Sequence, residues 1–105
     1  MNSVLFAKAI ADETRQKIMV LLCCNWLCVT DVVERLGDVR QPTVSHHLSI
    51  LRDAELVHTR REGKQVFYSL NQQAVATCCG GLLVKFAPDT VAESNVIPLT
   101  DIPLN

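Results

Sequence analysis

The spacing of the apolar residues changes from a helical period to a period of two near residue 56, and this change constrains the fold more than any other feature. Val44, Leu48 and Leu51 recur at i, i+4 and i+7, which is the pattern of one buried helix face. Pro42 suits the first turn of that helix. After residue 56 apolar and polar residues alternate on either side of a turn at Glu62-Gly63. The stretch therefore predicts a helix that leads into a β-hairpin.

Three further helices are predicted before this stretch and one after it. We place them at Ser3 to Ala11, at Asp12 (as cap) to about Cys24, at Val29 to Leu36 with Thr30 or Asp31 as cap and Gly37 as stop, and after Asn71 as cap. This order of four helices, two strands and a helix is that of a mainly α winged helix-turn-helix. We assign that domain to residues 1–86. Residues 87–105 hold three prolines and no periodicity, so we expect an extended or disordered tail.

Composition sets the class of protein. A chain of 105 residues that is 49% apolar has room for one globular domain. It has no run of eighteen apolar residues, and its first residues lack the pattern of a secretory signal, so we expect a cytoplasmic protein without membrane contact. The net charge of −1 argues weakly against a nucleic-acid partner, but residues 1–86 carry ten Lys and Arg against eight Asp and Glu. The predicted domain is therefore mildly basic.

The helix that begins near Pro42 has a polar face opposite its apolar stripe. Short hydroxyls and imidazoles on that face can contact base edges in a major groove while the stripe holds the helix on its scaffold. The candidate readers are Thr43, Ser45, His46 and Ser49, with Gln41 at the entrance of the helix and Arg40 and Arg52 as flanking phosphate contacts. His47 projects close to the stripe, so we expect it to be packed or to act as a cap. We expect His58, in the first strand, to be structural.

The hairpin that follows carries a polar, mostly basic tip. Its residues are Arg60, Arg61, Lys64 and Gln65. A basic hairpin is often only a solvated surface, but next to a polar helix it predicts a wing that lies along the DNA backbone or in the minor groove. A winged helix that binds only proteins is the alternative, and the three basic residues argue against it.

Several segments resemble the ArsR/SmtB family of transcriptional repressors over about residues 4–86. They are Ala11-Asp12-Glu13-Thr14-Arg15, the run from Gln41 to Leu48, Leu51-Arg52, Ala54-Glu55-Leu56-Val57 and Arg61-Glu62-Gly63-Lys64. The resemblance implies a non-enzymatic homodimer that pairs through its first and last helices. It also implies binding to an inverted repeat in double-stranded operator DNA, and release when an inducer binds.

Two sensor sites known in that family are incomplete in this sequence. The zinc site on the last helix needs histidines, and none follows His58. The arsenic motif Cys-Val-Cys-Asp-Leu-Cys is represented only by Cys28 in the segment Cys28-Val29-Thr30-Asp31-Val32-Val33. The candidate ligands are therefore Cys23, Cys24, Cys78 and Cys79, with Cys28 left open.

Thiolates select thiophilic ions: three suffice for trivalent arsenic or antimony, and four make a tetrahedral site for zinc or cadmium. No cofactor is required, and trivalent arsenic or antimony is the predicted inducer. Cysteine can instead act as a small buried hydrophobe, and Cys79 alone fits core packing because it continues an apolar stripe of the last helix.

Two other uses of the thiols stay open. A redox or persulfide bridge between the second and last helices would keep the DNA-binding fold and change only the signal. A cysteine-based metal carrier or thiol enzyme belongs to another class. Catalysis would need a histidine beside the thiol, and all three histidines lie in the reading helix or the first hairpin strand.

Overall fold

The computed structural model describes residues 3–94, and the side chains of residues 3–91. Its elements are α1 (Ser3–Ile10), α2 (Glu13–Leu22), β1 (Leu27–Cys28), α3 (Val29–Leu36), α4 (Gln41–Asp53), β2 (Val57–Glu62), β3 (Gln65–Leu70), α5 (Gln72–Phe86) and α6 (Pro88–Ser94). The predicted winged helix-turn-helix architecture is confirmed, with α3 and α4 as the helix-turn-helix and β2–β3 as the wing.

One apolar core joins the helices to the base of the wing. Its largest fully buried side chains are Phe6, Ile18, Leu22, Val32, Val44, Leu48, Leu51 and Leu56. The predicted stripe of α4 supplies three of them, so the reading helix is anchored by its apolar face while its opposite face stays outside. No helix in the described part of the chain has the length and apolar character needed to cross a membrane.

Local side-chain hydrogen bonds fix where the helices begin. The predicted caps Asp12 and Asn71 are confirmed: Asp12 Oδ1 accepts from the backbone N–H of Arg15 at 2.9 Å, and Asn71 Oδ1 accepts from that of Ala74 at 3.1 Å. Gly37 ends α3 with a φ of 81°, also as predicted.

The predicted cap of α3 was wrong. The helix starts at Val29, so Cys28 is its N-cap, and Asp31 lies in the first turn instead. There Asp31 Oδ2 accepts from the backbone N–H of Cys28 at 3.1 Å, which lowers the pKa of that carboxyl. Asp31 marks the start of the helix in the sequence whether it is the N-cap or the third helical residue, so the pattern alone does not distinguish the two positions.

Substituting Asp12 by alanine tests the cap of α2. We expect Asp12→Ala to lower the free energy of unfolding by about 1 kcal/mol, because the first turn loses its side-chain acceptor. Asp12→Asn keeps an acceptor and should retain most of the stability. Urea unfolding followed by circular dichroism measures both, and equal losses in the two variants would contradict the capping role.

The sheet has three antiparallel strands in the order β1-β3-β2. Tyr68 of β3 pairs with Leu27 of β1 on one side and with Thr59 of β2 on the other. Strand β1 was not predicted, since two residues are too short to show a period. The hairpin loop is Gly63-Lys64, one residue later than predicted, with Gly63 at a φ of 63°.

The predicted end of α2 and the predicted tail after Ala87 both need correction. Helix α2 stops at Leu22 and not at about Cys24, because Cys23 has an extended ψ of 112° and Cys24 a left-handed φ of 72°. The segment after Ala87, expected to be extended or disordered, forms α6 over Pro88–Ser94. Pro88 is its first residue, a position where the missing N–H costs nothing. The rest of the predicted tail, residues 95–105, lies outside the described residues.

Candidate nucleic-acid interface

The two faces of α4 separate as the apolar stripe predicts. Val44, Leu48 and Leu51 are buried, whereas the predicted readers Gln41, Thr43, Ser45 and His46 are exposed, as are Arg40 and Arg52. Ser49 is half-buried, and its Oγ accepts from Arg52 Nη2 at 3.4 Å. Arg52 also lies 3.7 Å from a carboxylate oxygen of Asp53. Contacts of these side chains with DNA remain a prediction.

His47 is a packed residue that belongs to the scaffold. Its side chain is 8% exposed, and its Nδ1 lies 3.1 Å from Nη1 of Arg15. A guanidinium has only donors, so Nδ1 accepts and the ring is neutral. Arg15 also donates from Nε to the carbonyl of Ala9 at 2.6 Å and from Nη2 to that of Lys8 at 3.2 Å. One arginine thereby ties the end of α1 to the reading helix.

Burial lowers the pKa of His47, and the charge of Arg15 and the neighbouring His46 lower it further, whereas Asp12 opposes them. Above the ordinary value of 6.5 His47 is neutral whether the chain is folded or not, and its contribution to stability is complete. Below that value the unfolded chain binds a proton that the folded chain resists, so stability falls with pH until the folded pKa is passed.

We therefore expect the stability of the protein to decline as the pH falls below about 6.5, and part of this decline to disappear in His47→Gln. Glutamine keeps an acceptor for Arg15 but does not titrate. Urea unfolding at a series of pH values measures the slope. His58→Gln is the control, because His58 is exposed on β2, contrary to the structural role expected for it. Identical slopes in the wild type and His47→Gln would contradict the assignment.

The four predicted residues of the wing all lie at the surface, but they differ in their contacts with other side chains. Arg60, Arg61, Lys64 and Gln65 are all exposed. The guanidinium of Arg60 lies 4.6 Å from the centre of the Trp26 ring and 2.8 Å from a carboxylate oxygen of Glu62. Arg60 is thus held on one face of the sheet, and Arg61 and Lys64 are the better placed cations for a phosphate. Trp26 escaped the sequence analysis because its contact with Arg60 is not local.

A cleft of about 290 Å³ separates the reading helix from the wing. Thr30 of α3, Gln41 of α4 and Lys64 of the wing contribute polar side chains to its lining. Thr30 lies in the first turn of α3, next to Asp31, whose carboxylate accepts from the backbone N–H of Cys28. Lys64 supplies the positive charge in this lining, so contact of the cleft with a DNA backbone phosphate is a prediction. The sequence analysis considered Thr30 only as a cap of α3.

The five cysteines fall into different environments. Cys23 and Cys24 follow α2 with their Sγ atoms 3.6 Å apart, and the hydrogen bond between them raises the pKa of Cys23. Cys28 is buried at the start of α3. Cys78 is 6% exposed and packs in the core, whereas Cys79 is exposed, so the expectation that Cys79 serves core packing was wrong. Desolvation raises the pKa of Cys79, and the neighbouring Cys78 adds to the effect.

A complete metal site is not assembled within one protomer over the described residues. No three His, Cys, Asp or Glu side chains in residues 3–91 converge as ligands for one ion. The end of α2 does lie close to the start of α5, where Gln72 Nε2 donates to Cys24 Sγ at 3.4 Å.

Comparison with known proteins places the chain among bacterial regulators. The family model described as bacterial regulatory protein, arsR family, matches residues 12–59. The chain is 42% identical over 71 residues to the transcriptional repressor SdpR of Bacillus subtilis (strain 168), covering 68% of this chain and 76% of that protein. It is 44% identical over 64 residues to the arsenical resistance operon repressor of Staphylococcus aureus, covering 61% of each.

A solved structure described as reduced HlyU from Vibrio cholerae N16961 is similar to most of this chain. It superimposes with a TM-score of 0.63 at 36% identity, covering 81% of this chain and 87% of that one. The likeness therefore extends over most of this chain.

Proposed function

Because this chain belongs to the ArsR family of winged helix-turn-helix transcriptional regulators, we propose that it is a homodimeric cytoplasmic repressor whose operator affinity is controlled by its cysteine thiols. The observation that carries the DNA-binding part is the exposed polar face of α4 beside the cations of the wing. The polar face of α4 contacts base edges, and the cations of the wing contact backbone phosphates.

The surface of α1 and α5 supports the homodimer. Val4 is 58% exposed, Val84 56% and Phe86 76%, and a cleft of about 410 Å³ between the two helices is lined mainly by apolar side chains. Contiguous apolar surface of this kind marks an interaction site. A second copy of the same face would cover it by two-fold symmetry, which places two reading helices for the two halves of an inverted repeat.

Thiol chemistry supports a thiophilic inducer, and trivalent arsenic or antimony is the first candidate. A relative from Staphylococcus aureus is named for arsenical resistance, and Cys23, Cys24 and Cys79 of this chain are not buried. Inducer and DNA need only prefer different dimer shapes, by about 1–3 kcal/mol, for one to release the other.

A thiol redox or persulfide switch is the second candidate. The short distance between Cys23 and Cys24 favours it, and HlyU was solved in a form called reduced. The two candidates share the fold and the operator and differ only in the chemistry at sulfur.

The test begins with selection of a binding sequence from random double-stranded DNA by the reduced protein. Fluorescence anisotropy at fixed salt then follows release of that sequence by arsenite, antimonite, zinc, cadmium or a polysulfide. We expect arsenite or antimonite to release the wild type and to leave a variant with all five cysteines changed to serine on the DNA. Release only by polysulfide supports the redox candidate. Release of both proteins alike, or of neither, overturns thiol control, and failure to select any sequence overturns the repressor itself.

A further inference from the structure

One side chain of α2 reaches both the proposed dimer face and the reading helix. Arg15 uses all three of its side-chain nitrogens as donors: Nε and Nη2 bond the carbonyls of Ala9 and Lys8, and Nη1 bonds Nδ1 of His47. Lys8 also lines the cleft between α1 and α5, whereas His47 lies in the middle of α4. Arg15 therefore connects the surface that we assign to pairing of the protomers with the helix that we assign to DNA reading.

Both ends of this connection are fixed by other contacts. The guanidinium lies at the C-terminal end of α1, where the last carbonyls of a helix lack partners within it and favour a cation. Arg15 also donates its backbone N–H to Asp12 Oδ1 at the start of α2. His47 is 8% exposed and is followed by Leu48, which is fully buried. Because neither side chain can turn freely, a movement of α1 and α2 relative to α4 has to stretch the hydrogen bond to His47.

The turn of α4 that Arg15 contacts is the turn that carries the predicted readers. Ser45 and His46 directly precede His47, and both are exposed. Hydrogen bonds to base edges weaken steeply once donor and acceptor separate beyond about 3.2 Å, so a small displacement of this turn loses base contacts. In a dimer the displacement occurs in both protomers. It also changes the distance between the two reading helices, which an inverted repeat requires to be fixed.

We propose that Arg15 is a positioning residue for operator binding, which holds the reading helix at a fixed place relative to the dimer face through its hydrogen bond to His47. The proposal rests on the proposed homodimeric repressor and does not depend on the identity of the inducer. Each side-chain nitrogen of Arg15 is already bonded within the protomer, so Arg15 acts through His47 and not as a DNA contact. A lysine cannot replace it, because one ammonium group does not reach two carbonyls and a ring nitrogen in the geometry of a planar guanidinium.

The connection depends on the protonation state of His47. A neutral ring accepts from Arg15 at Nδ1, whereas an imidazolium has only donors and places a second positive charge beside the guanidinium. The charged and titratable groups around the ring are Arg15 and Asp12 at the start of α2 and His46 on α4. Asp12 favours protonation of the ring, and burial, Arg15 and His46 oppose it, with the net result that the pKa of His47 is lowered.

This dependence gives operator binding a pH profile of its own. Operator-bound protein needs the neutral ring, so it binds fewer protons than free protein in which the bond can break. Operator affinity should therefore fall as the pH drops below about 6.5, the ordinary pKa of the group, by up to about 10-fold per pH unit for each protomer. Protonation of the exposed His46 acts in the opposite direction, because added positive charge attracts phosphates. The two effects are separated by comparison with His47→Gln, which keeps an acceptor for Arg15 and does not titrate.

The test measures anisotropy of the full reduced chain on the selected operator and on its isolated half-site, from above pH 6.5 down to the lowest pH at which circular dichroism shows the folded state. Above pH 6.5 we expect Arg15→Lys to lower operator affinity about 10-fold, the effect of one hydrogen bond to a charged group. Its loss on the half-site should be smaller, because a half-site does not require a fixed spacing. The ratio of wild-type to His47→Gln operator affinity should fall with pH.

Gln16→Met is the matched control. Gln16 Nε2 donates to the carbonyl of Ile10 at 2.6 Å, so the variant removes a hydrogen bond to the same end of α1 from the neighbouring residue of α2. Gln16 is exposed, and its replacement should change operator affinity by less than about twofold.

Wild-type operator affinity in Arg15→Lys, or an equal loss in Gln16→Met, overturns the positioning role. So do equal losses of Arg15→Lys on the operator and the half-site, and a ratio of wild type to His47→Gln that is independent of pH. If Arg15→Lys does not fold, the pH profiles of the wild type and His47→Gln decide the question alone. Failure to select any operator counts against the proposed function, whereas a bound operator without these differences counts against Arg15 only.

Discussion

Ser45→Ala/His46→Ala is expected to remove most of the sequence discrimination of the protein while leaving its fold intact. Both side chains are exposed on α4, opposite the buried stripe, so their loss creates no cavity. A well-formed base contact contributes about 1–3 kcal/mol of discrimination, so the pair accounts for about 2–6 kcal/mol. Affinity for the selected operator should therefore fall by a factor between about 30 and 10⁴, whereas affinity for scrambled DNA changes little.

Anisotropy titrations on the operator and on a scrambled duplex, each at several salt concentrations, measure this difference. The dependence on salt should be unchanged, because base contacts release no counterions. Arg61→Ala/Lys64→Ala is the informative contrast: it should weaken binding to both duplexes and lower the slope of log affinity against log salt by about 2. His58→Ala removes an exposed histidine at the base of the wing and should change neither the affinity for the two duplexes nor the slope against salt. Equal losses on operator and scrambled DNA in Ser45→Ala/His46→Ala would contradict the reading role.

The parts of the fold that the sequence predicted well are those fixed by short-range chemistry. Asp12 and Asn71 cap helices through residues three positions away, and Gly37 ends one through its own backbone angle. The two faces of α4 also follow from the sequence alone, because a helical period determines which side chains share a face. Such features need no knowledge of the rest of the molecule.

The features that escaped prediction depend on contacts between distant segments. Trp26 and Arg60 meet only after β1 joins β3, and Arg15 meets His47 across 32 positions. The sequence of α5 allows either Cys78 or Cys79 to face the core. The packing of α5 against the rest of the fold determines that Cys78 is buried and Cys79 is exposed. The convergence of Cys23 and Cys24 was likewise hidden, since it depends on the backbone angle at which α2 ends.

Phe86→Asp is expected to convert the proposed homodimer into monomers. Phe86 is 76% exposed in a single protomer, so the carboxylate costs little in the isolated fold. Helices α1 and α5 line a common cleft, to which Phe86 contributes, and Lys85 Nζ donates to Ser3 Oγ at 3.3 Å. If a second copy covers that face, two unpaired carboxylates are buried at once, and each costs several kcal/mol.

Sedimentation velocity of Phe86→Asp and of the apolar control Phe86→Leu measures the outcome directly. We expect the aspartate variant to sediment as a monomer with a wild-type circular dichroism spectrum, and the leucine variant to remain a dimer. A monomer engages one half of the inverted repeat, so operator affinity should fall on the order of 10²–10⁴-fold, while binding to an isolated half-site is retained. An aspartate variant that stays dimeric would show that the apolar face of α1 and α5 is not the dimer interface. The proposed spacing of the two reading helices would then have to come from another surface, because that spacing depends directly on which helices pair.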